Sequence, residues 1–461
     1  YILFFYIILY IMGDLKMAEQ DLKLKCYTIA DEIKKNDTFL KNENISIFNS
    51  SFLPLKNSEN YLIASRGWYG NIRSWEGKNF VILSLFDKYL KKLNQNLLEV
   101  PKNIDSIKVS NKKFKGQIKY HSESKSDGPE DPRLFYHTDG NIYILFNDIN
   151  PKYKEKKRHM FIAQVDVENL TYGKRTTLCE KLSTNFEKNW GTFTYKNETY
   201  LVYNINPLTI YKIDDITKGY CSNILQSENK YLKKFDNFFP DLHFHLRNST
   251  NLIPFDVPGK SPTLFLGLGH SVLDYKGYED INKYIFPSLK KSNYSQSDKE
   301  YFKNFTKLYL GFFYLLDMEN KKIKKISPFF QLPNYESKQE LIFFPTSIHW
   351  GDNDTINISY NVGDNRSYLA KLHKNIIRLS LYHIESIDFY QNFNISPNYY
   401  LELIRSIRKY NDLSVHVNKW FIFRKRGKIL RKSITTEERA KNKSKNKSIK
   451  KTKKNKKTKK K

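Results

Sequence analysis

DGPEDPRLFYHTDGNIYILFND, residues 127–148, spells out a strand, a tight turn and a second strand. The aromatic and branched residues after Arg133 and again after Asn141 favour extended backbone, and HTDGN between them is a turn signal. The same texture recurs in both directions along the chain: YLIAS (61–65), NFVILSLF (79–86), HMFIAQVDV (159–167), TYLVYNI (199–205), TLFLGLG (263–269), LYLGFFYLL (308–316) and TINISYNV (355–362). Few helical segments are long enough to serve as crossovers, which argues against a doubly wound α/β enzyme and for an antiparallel all-β array. Strand–turn–strand units at blade-sized spacing fit a β-propeller with about four strands per blade, and a pair of β-sandwiches is the alternative.

Departures from this texture mark the ends and one excursion. Leu22, Cys26, Ile29 and Ile33 recur by three or four, so a helix is expected over residues 16–35. Residues 276–307 read as a charged, partly helical insertion, and Pro397 opens a short helical pattern over 397–410. The expected organisation is an apolar N-terminal segment and helix (1–43), a propeller (44–385), a C-terminal helical extension (386–420) and a disordered Lys-rich tail (421–461).

The chain of 461 residues carries a formal charge of +30. Residues 421–461 hold 20 basic and 2 acidic residues, so +18 belongs to the tail and +12 to the rest. The tail's composition cannot build a core; it suits contact with nucleic acid or an anionic surface, or simple solvation. Cys26, Cys179 and Cys221 form no CxxC and no paired framework, so a zinc ribbon and a disulfide scaffold are disfavoured, while a single bridge stays open. The opening YILFFYIILYIMG is too short to span a bilayer; it reads either as a truncated signal anchor, which would suit an endomembrane protein, or as sequence ahead of a start at Met12 or Met17, with a cytoplasmic protein favoured. No GxSxG, HExxH, P-loop or GxGxxG stands in a credible context, and no cofactor or metal is expected. Asp241, His243 and His245 fall on one face of a strand, but a hydrated face is the plainer reading.

Candidate chemistry centres on Glu130 and Asp131, bounded by Pro129 and Pro132, with Arg133 beside them. Alternation along a strand points the two carboxylates opposite ways and gives them different jobs. A carboxyl in a confined pocket suits a general acid. Glu187, Lys188, Asn189 and Trp190 stand at the entry to another strand pair, where a lysine beside an indole suits a sugar ring. Arg66 with Trp68 and Tyr69, His270 in GLGHS, and Asp364 after a strand add polar or aromatic groups at strand ends, where a propeller gathers them about its axis.

EDPR at 130–133, Lys188 and SYNVGD at 359–364 resemble the five-bladed propellers of glycoside hydrolase family 130, over roughly residues 44–385. That family comprises β-mannoside phosphorylases and hydrolases, and related propellers occur in β-mannosyltransferases. The resemblance implies five blades near 44–100, 128–180, 183–225, 239–330 and 340–385. It implies Asp131 as catalytic acid with inversion at the anomeric carbon. Arg66, Glu130, Arg133, Lys188, Trp190, His270 and Asp364 would bind an oligosaccharide and, where used, inorganic phosphate or a sugar donor. Lys188 and Arg66 alone make a thin phosphate site, which weighs toward hydrolysis or glycosyl transfer. Hydrolysis would need a second carboxylate, for which Glu187, Asp148 and Asp241 are candidates. A glycan-binding propeller without catalysis is the reading from another class.

Overall fold

A computed structural model describes residues 26–71, 76–100, 128–153, 157–180, 182, 187–233, 243–255, 263–274, 307–327, 329–332, 342–363 and 366–385. They form five small antiparallel sheets, the blades of a five-bladed β-propeller. After a short strand β1 (Cys26–Thr28) and helix α1 (Ile29–Lys34), the first blade runs β2 (Ile45–Pro54), β3 (Tyr61–Asn71), β4 (Glu76–Phe86) and β5 (Lys92–Leu98). The second comprises β6 (Glu130–Tyr136), β7 (Ile142–Ile149) and β8 (Arg158–Asp166), edged by β9 (Thr171–Tyr172) and β10 (Thr176–Thr177). The third is β11 (Gly191–Tyr195), β12 (Glu198–Ile205), β13 (Leu208–Asp215) and β14 (Tyr220–Ser227). In the fourth, β15 (His243–Asn248) and β16 (Ile253–Pro254) both pair with β17 (Leu264–Asp274), followed by β18 (Lys307–Asp317) and β19 (Lys322–Ile326). The fifth is β20 (Phe343–Trp350), β21 (Thr355–Val362) and β22 (Arg366–His373); helix α2 (Lys374–Ser380) and β23 (Tyr382–His383) then return the chain to β19.

Hydrogen bonds stitch neighbouring blades to one another around the ring. Leu134 N donates to Ser51 Oγ (3.0 Å), Glu187 N to Arg158 O (3.1 Å), Leu252 N to Thr192 O (2.9 Å), Ile348 N to Asn251 Oδ1 (3.0 Å) and Phe52 N to Ser347 Oγ (2.8 Å). Apolar side chains fill the spaces between blades. Leu62, Val81 and Leu83 of the first blade pack with Leu134, Ile144 and Phe146 of the second; Leu145 and Ile162 of the second pack with Trp190 and Leu201 of the third.

Of the helix expected over 16–35, residues 16–25 lie outside the described residues, the middle is a strand and only the end is helical. Cys26–Thr28 is a strand whose partners are Ala370 to Tyr368 of β22, and the helix holds only Ile29–Lys34. Tyr27 and Thr28 favour extended backbone, and satisfying the open edge of the fifth sheet outweighs one more helical turn. Helix α2, which the sequence reading did not anticipate, starts where His373 Nδ1 accepts from Asn375 N. The expected helix over 397–410, the tail, and all but Lys307 of the 276–307 excursion lie outside the described residues. Among the described residues no helix is long and apolar enough to cross a membrane.

The single bridge that the sequence left open is present. Cys179, following β10 in the second blade, is bridged to Cys221 of the third, and Cys179 N also donates to Gly219 O at 2.8 Å.

His349, near the end of β20, is held by burial at a pKa of about 4, and its Nε2 has no partner. It folds neutral, whereas the unfolded chain takes up a proton below about pH 6.5. Stability should therefore be full above pH 6.5 and fall progressively toward pH 4. Thermal unfolding across that range should show a flatter pH dependence in His349→Gln than in the parent protein.

Candidate active site

Each of four blades breaks the ladder of its first strand close to the axis. The register slips between Phe48 and Ser51 in β2, between Glu130 and Arg133 in β6, and between Pro345 and Ser347 in β20. In the fourth blade, pairing stops at Asn248 opposite Gly269 and resumes at Ile253 opposite Leu266. Bulges turn side chains that the strand period would send elsewhere. Asn49 (φ 51°), Asp131 (φ 52°) and Asn189 (φ 67°) all adopt the left-handed conformation, which Asn and Asp tolerate better than other side chains. Pro132 has no N–H to give the ladder, so the break at Asp131 follows directly from the EDPR sequence.

This bulge corrects the expectation that Glu130 and Asp131 face apart. Both meet one guanidinium, since Arg66 Nη2 lies 3.0 Å from Glu130 Oε1 and Nη1 lies 3.1 Å from Asp131 Oδ1. Arg66 Nε donates to Asn79 Oδ1 (2.7 Å), and Asn79 Nδ2 donates to Glu130 (3.2 Å). Arg158 Nη2 makes a second ion pair with Glu130 (3.3 Å) and donates to Gly128 O (2.8 Å). Gly128 has φ +93°, and a Cβ there would stand 2.3 Å from Asn79 O, so only glycine lets the chain pass this close.

Asp131 accepts from Asn49 Nδ2 as well as from Arg66. Burial alone would raise its pKa, but Arg66, Arg133, the Asn49 bond and Lys188 together bring it below the usual carboxylate value. Asp131 is thus an ionised carboxylate in the free site. Arg133 donates from Nε to Ser249 O (2.9 Å) and from Nη1 to Asp131 O (3.2 Å). Its buried Nη2 has no partner, and burial lowers its pKa to about 10.

Lys188 is solvent-accessible, yet it is surrounded closely enough for desolvation to lower its pKa, helped by Arg247 and Lys307 and opposed by Asp131 and Glu130. Among the described residues, the side chains of Lys188 and Arg247 have no hydrogen-bonded or ion-paired partner. His270 is buried with Nδ1 2.5 Å from Ser249 Oγ, its ring stacked 5.5 Å from Tyr309 and tilted 4.9 Å from Phe344. Burial first, then Arg247, Lys188 and Arg133, push its pKa well below the usual histidine value, so the ring is neutral.

The structure therefore brings together Arg66, Glu130, Asp131, Arg133, Lys188 and His270. Trp190 is elsewhere: only 2% exposed, it packs in the core of the second and third blades, 5.4 Å from Tyr203, and its indole is withheld from a sugar ring. Trp68 and Tyr69 are buried too. Asp364 and Asp241 lie outside the described residues. Asp148 is taken by Arg175 at 2.6 Å, which also binds Glu99 at 2.8 Å. Glu187 is buried and accepts from Tyr203 Oη at 3.3 Å. Among the described residues no three His, Cys, Asp or Glu side chains group as metal ligands.

Asn49, Asn79, Arg158 and Arg247 complete the site and were missed from the sequence. Asn49, Asn79 and Arg158 are polar or charged residues in strands otherwise rich in apolar ones, a local inconsistency that marks functional positions, whereas Arg247 continues the polar face of His243 and His245 in β15.

Neither a protein-family model nor a curated protein matches the chain. Solved structures do resemble it. A β-1,2-mannobiose phosphorylase from Listeria innocua, in complex with β-1,2-mannobiose, is 12% identical over 77% of this chain and 98% of its own, with a TM-score of 0.42. A mannose phosphorylase from Leishmania mexicana in complex with phosphate ion is 10% identical over 72% of this chain and 85% of its own, with a TM-score of 0.39. A GDP-Man-dependent mannosyltransferase from the same organism is 10% identical over 72% and 86%, with a TM-score of 0.41. The likeness is one of architecture, shared with phosphorylases, hydrolases and transferases of mannosides, and no residue here takes a role from it.

Burial and the like charges of Arg247 and Lys307 disfavour the charged form of Lys188 by more than Asp131 and Glu130 favour it. Lys188→Gln should consequently leave the free protein as stable as before or slightly more so, by thermal unfolding. In the parent, phosphate at about a hundred times its dissociation constant should add about 2.7 kcal/mol of stability; the variant should lose most of that gain.

Proposed function

We propose that the axial pocket belongs to an inverting carbohydrate-active enzyme that moves a glycosyl unit between a mannoside or similar glycan and an anion of the phosphate class. The observation that carries this reading is that Lys188 and Arg133, whose Nη2 has no partner, act on Asp131, while Arg247 stands beside Lys188 and His270. The sequence alone offered only Lys188 and Arg66 for an anion, and Arg66 is already engaged by two carboxylates. Arg247 and Arg133 restore what that count lacked.

In cleavage, a protonated Asp131 gives its proton to the glycosidic oxygen, directly or through a sugar hydroxyl. The bond from that oxygen to the anomeric carbon breaks as a phosphate oxygen attacks from the opposite face. In the reverse direction the Asp131 carboxylate takes the proton of an acceptor hydroxyl while a phosphate or nucleoside diphosphate leaves. The resting carboxylate suits this synthetic direction. Neutral His270, buried behind this cluster, adds no charge to it. Hydrolysis is less well supported, because Asp148 is spent on Arg175 and leaves Glu187 as the described candidate to activate water. A glycan-binding propeller without catalysis gains support from the ionised Asp131, which can simply accept sugar hydroxyls.

The test is product analysis on a panel of mannosides with inorganic phosphate, with water alone and with a nucleotide-sugar donor. Phosphate-dependent sugar 1-phosphate, or chain extension from an activated donor, is the expected product, lowered by about 10²- to 10⁴-fold in Asp131→Asn. Free sugar formed equally without phosphate would mean hydrolysis. Binding without turnover in both proteins would mean a lectin-like role.

A further inference from the structure

Asn361 in the fifth blade and Asn49 in the first are both buried and face each other across the blade boundary. Main-chain groups fix how both amides are turned, because their donor and acceptor roles cannot be exchanged. Asn49 N is a donor, so the atom of Asn361 that lies 2.6 Å from it is Oδ1. The Ser367 hydroxyl donates to that same oxygen at 2.5 Å. The other amide atom of Asn361 is then Nδ2, which donates to the Phe344 carbonyl at 3.3 Å and to the Asn49 side chain at 2.6 Å. The Asn49 atom that receives it must be Oδ1. Nδ2 of Asn49 consequently points the other way, onto Oδ1 of Asp131.

Arg66 Nη1 binds that same oxygen at 3.1 Å. Among the described residues, Oδ2 of Asp131 has no hydrogen-bond partner. The carboxylate is therefore held at one oxygen only, and the direction of every bond in the relay from Ser367 through Asn361 and Asn49 is forced.

We propose that Asn361 is a positioning residue that acts through Asn49, committing Oδ1 of Asp131 to the protein and leaving Oδ2 as the oxygen that meets the substrate. Its chemical consequence rests on Asp131 being the acid; the orientation does not. A donor held against a carboxylate favours the ionised form, so releasing the Asn49 amide to rotate makes protonation easier. The charged groups facing Asp131 are Arg66 from β3, Arg133 from β6 and Lys188 before β11, with Glu130 alongside; His270 of β17 and Arg247 of β15 stand within the same field. None of them changes in the variants that test the relay.

The experiment is a carboxyl ¹³C titration of full-length protein labelled at the aspartate γ-carbon, with the Asp131 signal assigned by its loss in Asp131→Asn. In Asn361→Leu the Asp131 midpoint should rise by about one pH unit. Asn49→Ala should give a similar rise, and adding Asn361→Leu to it should give no more. Asn357→Leu, a buried asparagine of the same strand outside the relay, should leave the titration unmoved even where it lowers the melting temperature. Should Asn361→Leu not fold, Ser367→Ala removes one donor to Asn361 and should give a smaller rise in the same direction. An unmoved midpoint in the folded variants overturns the proposal, as does an equal rise on adding Asn361→Leu to Asn49→Ala. The readout needs no substrate, so absence of activity would count against the proposed function and leave this result standing.

Discussion

The Arg66 guanidinium, buried between Glu130 and Asp131, is the constraint around which the pocket is arranged. A cation taken from water into a protein interior costs several kcal/mol unless its partners are well placed. Two carboxylates and the Asn79 amide supply that placement, but only because β6 is bulged where they sit. An unbroken strand would send one carboxylate to the far face and leave Arg66 short of a partner. Glu130 then needs compensation of its own, and Arg158 provides it from β8, tied in turn to Asn147 and to the Gly128 carbonyl. One interruption of a ladder thus recruits residues from three strands of the second blade and two of the first.

The propeller makes such interruptions affordable in structural terms. Its apolar cores lie between blades, where Leu, Ile and Phe side chains interlock, so the axis need not be hydrophobic to hold the ring together. Near the axis the contacts are short hydroxyl and amide bonds. Ser50 bonds both Ser65 (2.7 Å) and Ser367 (2.9 Å), and Ser51, Ser347 and Asn251 take the neighbouring blades' main chain. Small polar residues satisfy the backbone groups that the bulges release, and they leave space around Asp131. The fifth blade is completed by β1 from the other end of the chain, so the relay through Asn361 and Ser367 lies in the sheet that closes the ring.

The strands were legible in the sequence because aromatic and branched runs cut by turn residues leave few other options, and the EDPR stretch marked the acidic centre. What resisted reading was non-local. Alternation at Glu130 and Asp131 failed because a bulge, which depends on pairing with β7, shifts the period locally. Cys26 to Thr28 looked helical because the edge they complete lies more than 300 residues away in the chain. Lys188 and Trp190 are two apart, which an extended strand would put on one face, but left-handed Asn189 (φ 67°) stands between them, and the indole is buried while the lysine is exposed. Arg247 gave no signal, since it merely continues the polar face of His243 and His245, and its importance arises only from its place beside Lys188.

The charge imbalance in the pocket bears on how Asp131 would work on the proposed reading. In the free site Arg66, Arg133 and Lys188 all draw its pKa down, which is the wrong direction for an acid. Arg133 and Lys188, with Arg247, are also the groups left to receive an anion. An anion bound there offsets their pull on Asp131, and by linkage whatever raises the proton affinity of Asp131 on anion binding makes the anion bind more tightly to the protonated form. The group that attacks the sugar would thereby prepare the acid that frees its leaving group, while Arg66, tied to Glu130, keeps the carboxylate in place throughout. An acid built this way needs no apolar pocket of its own, and without an anion it stays a carboxylate.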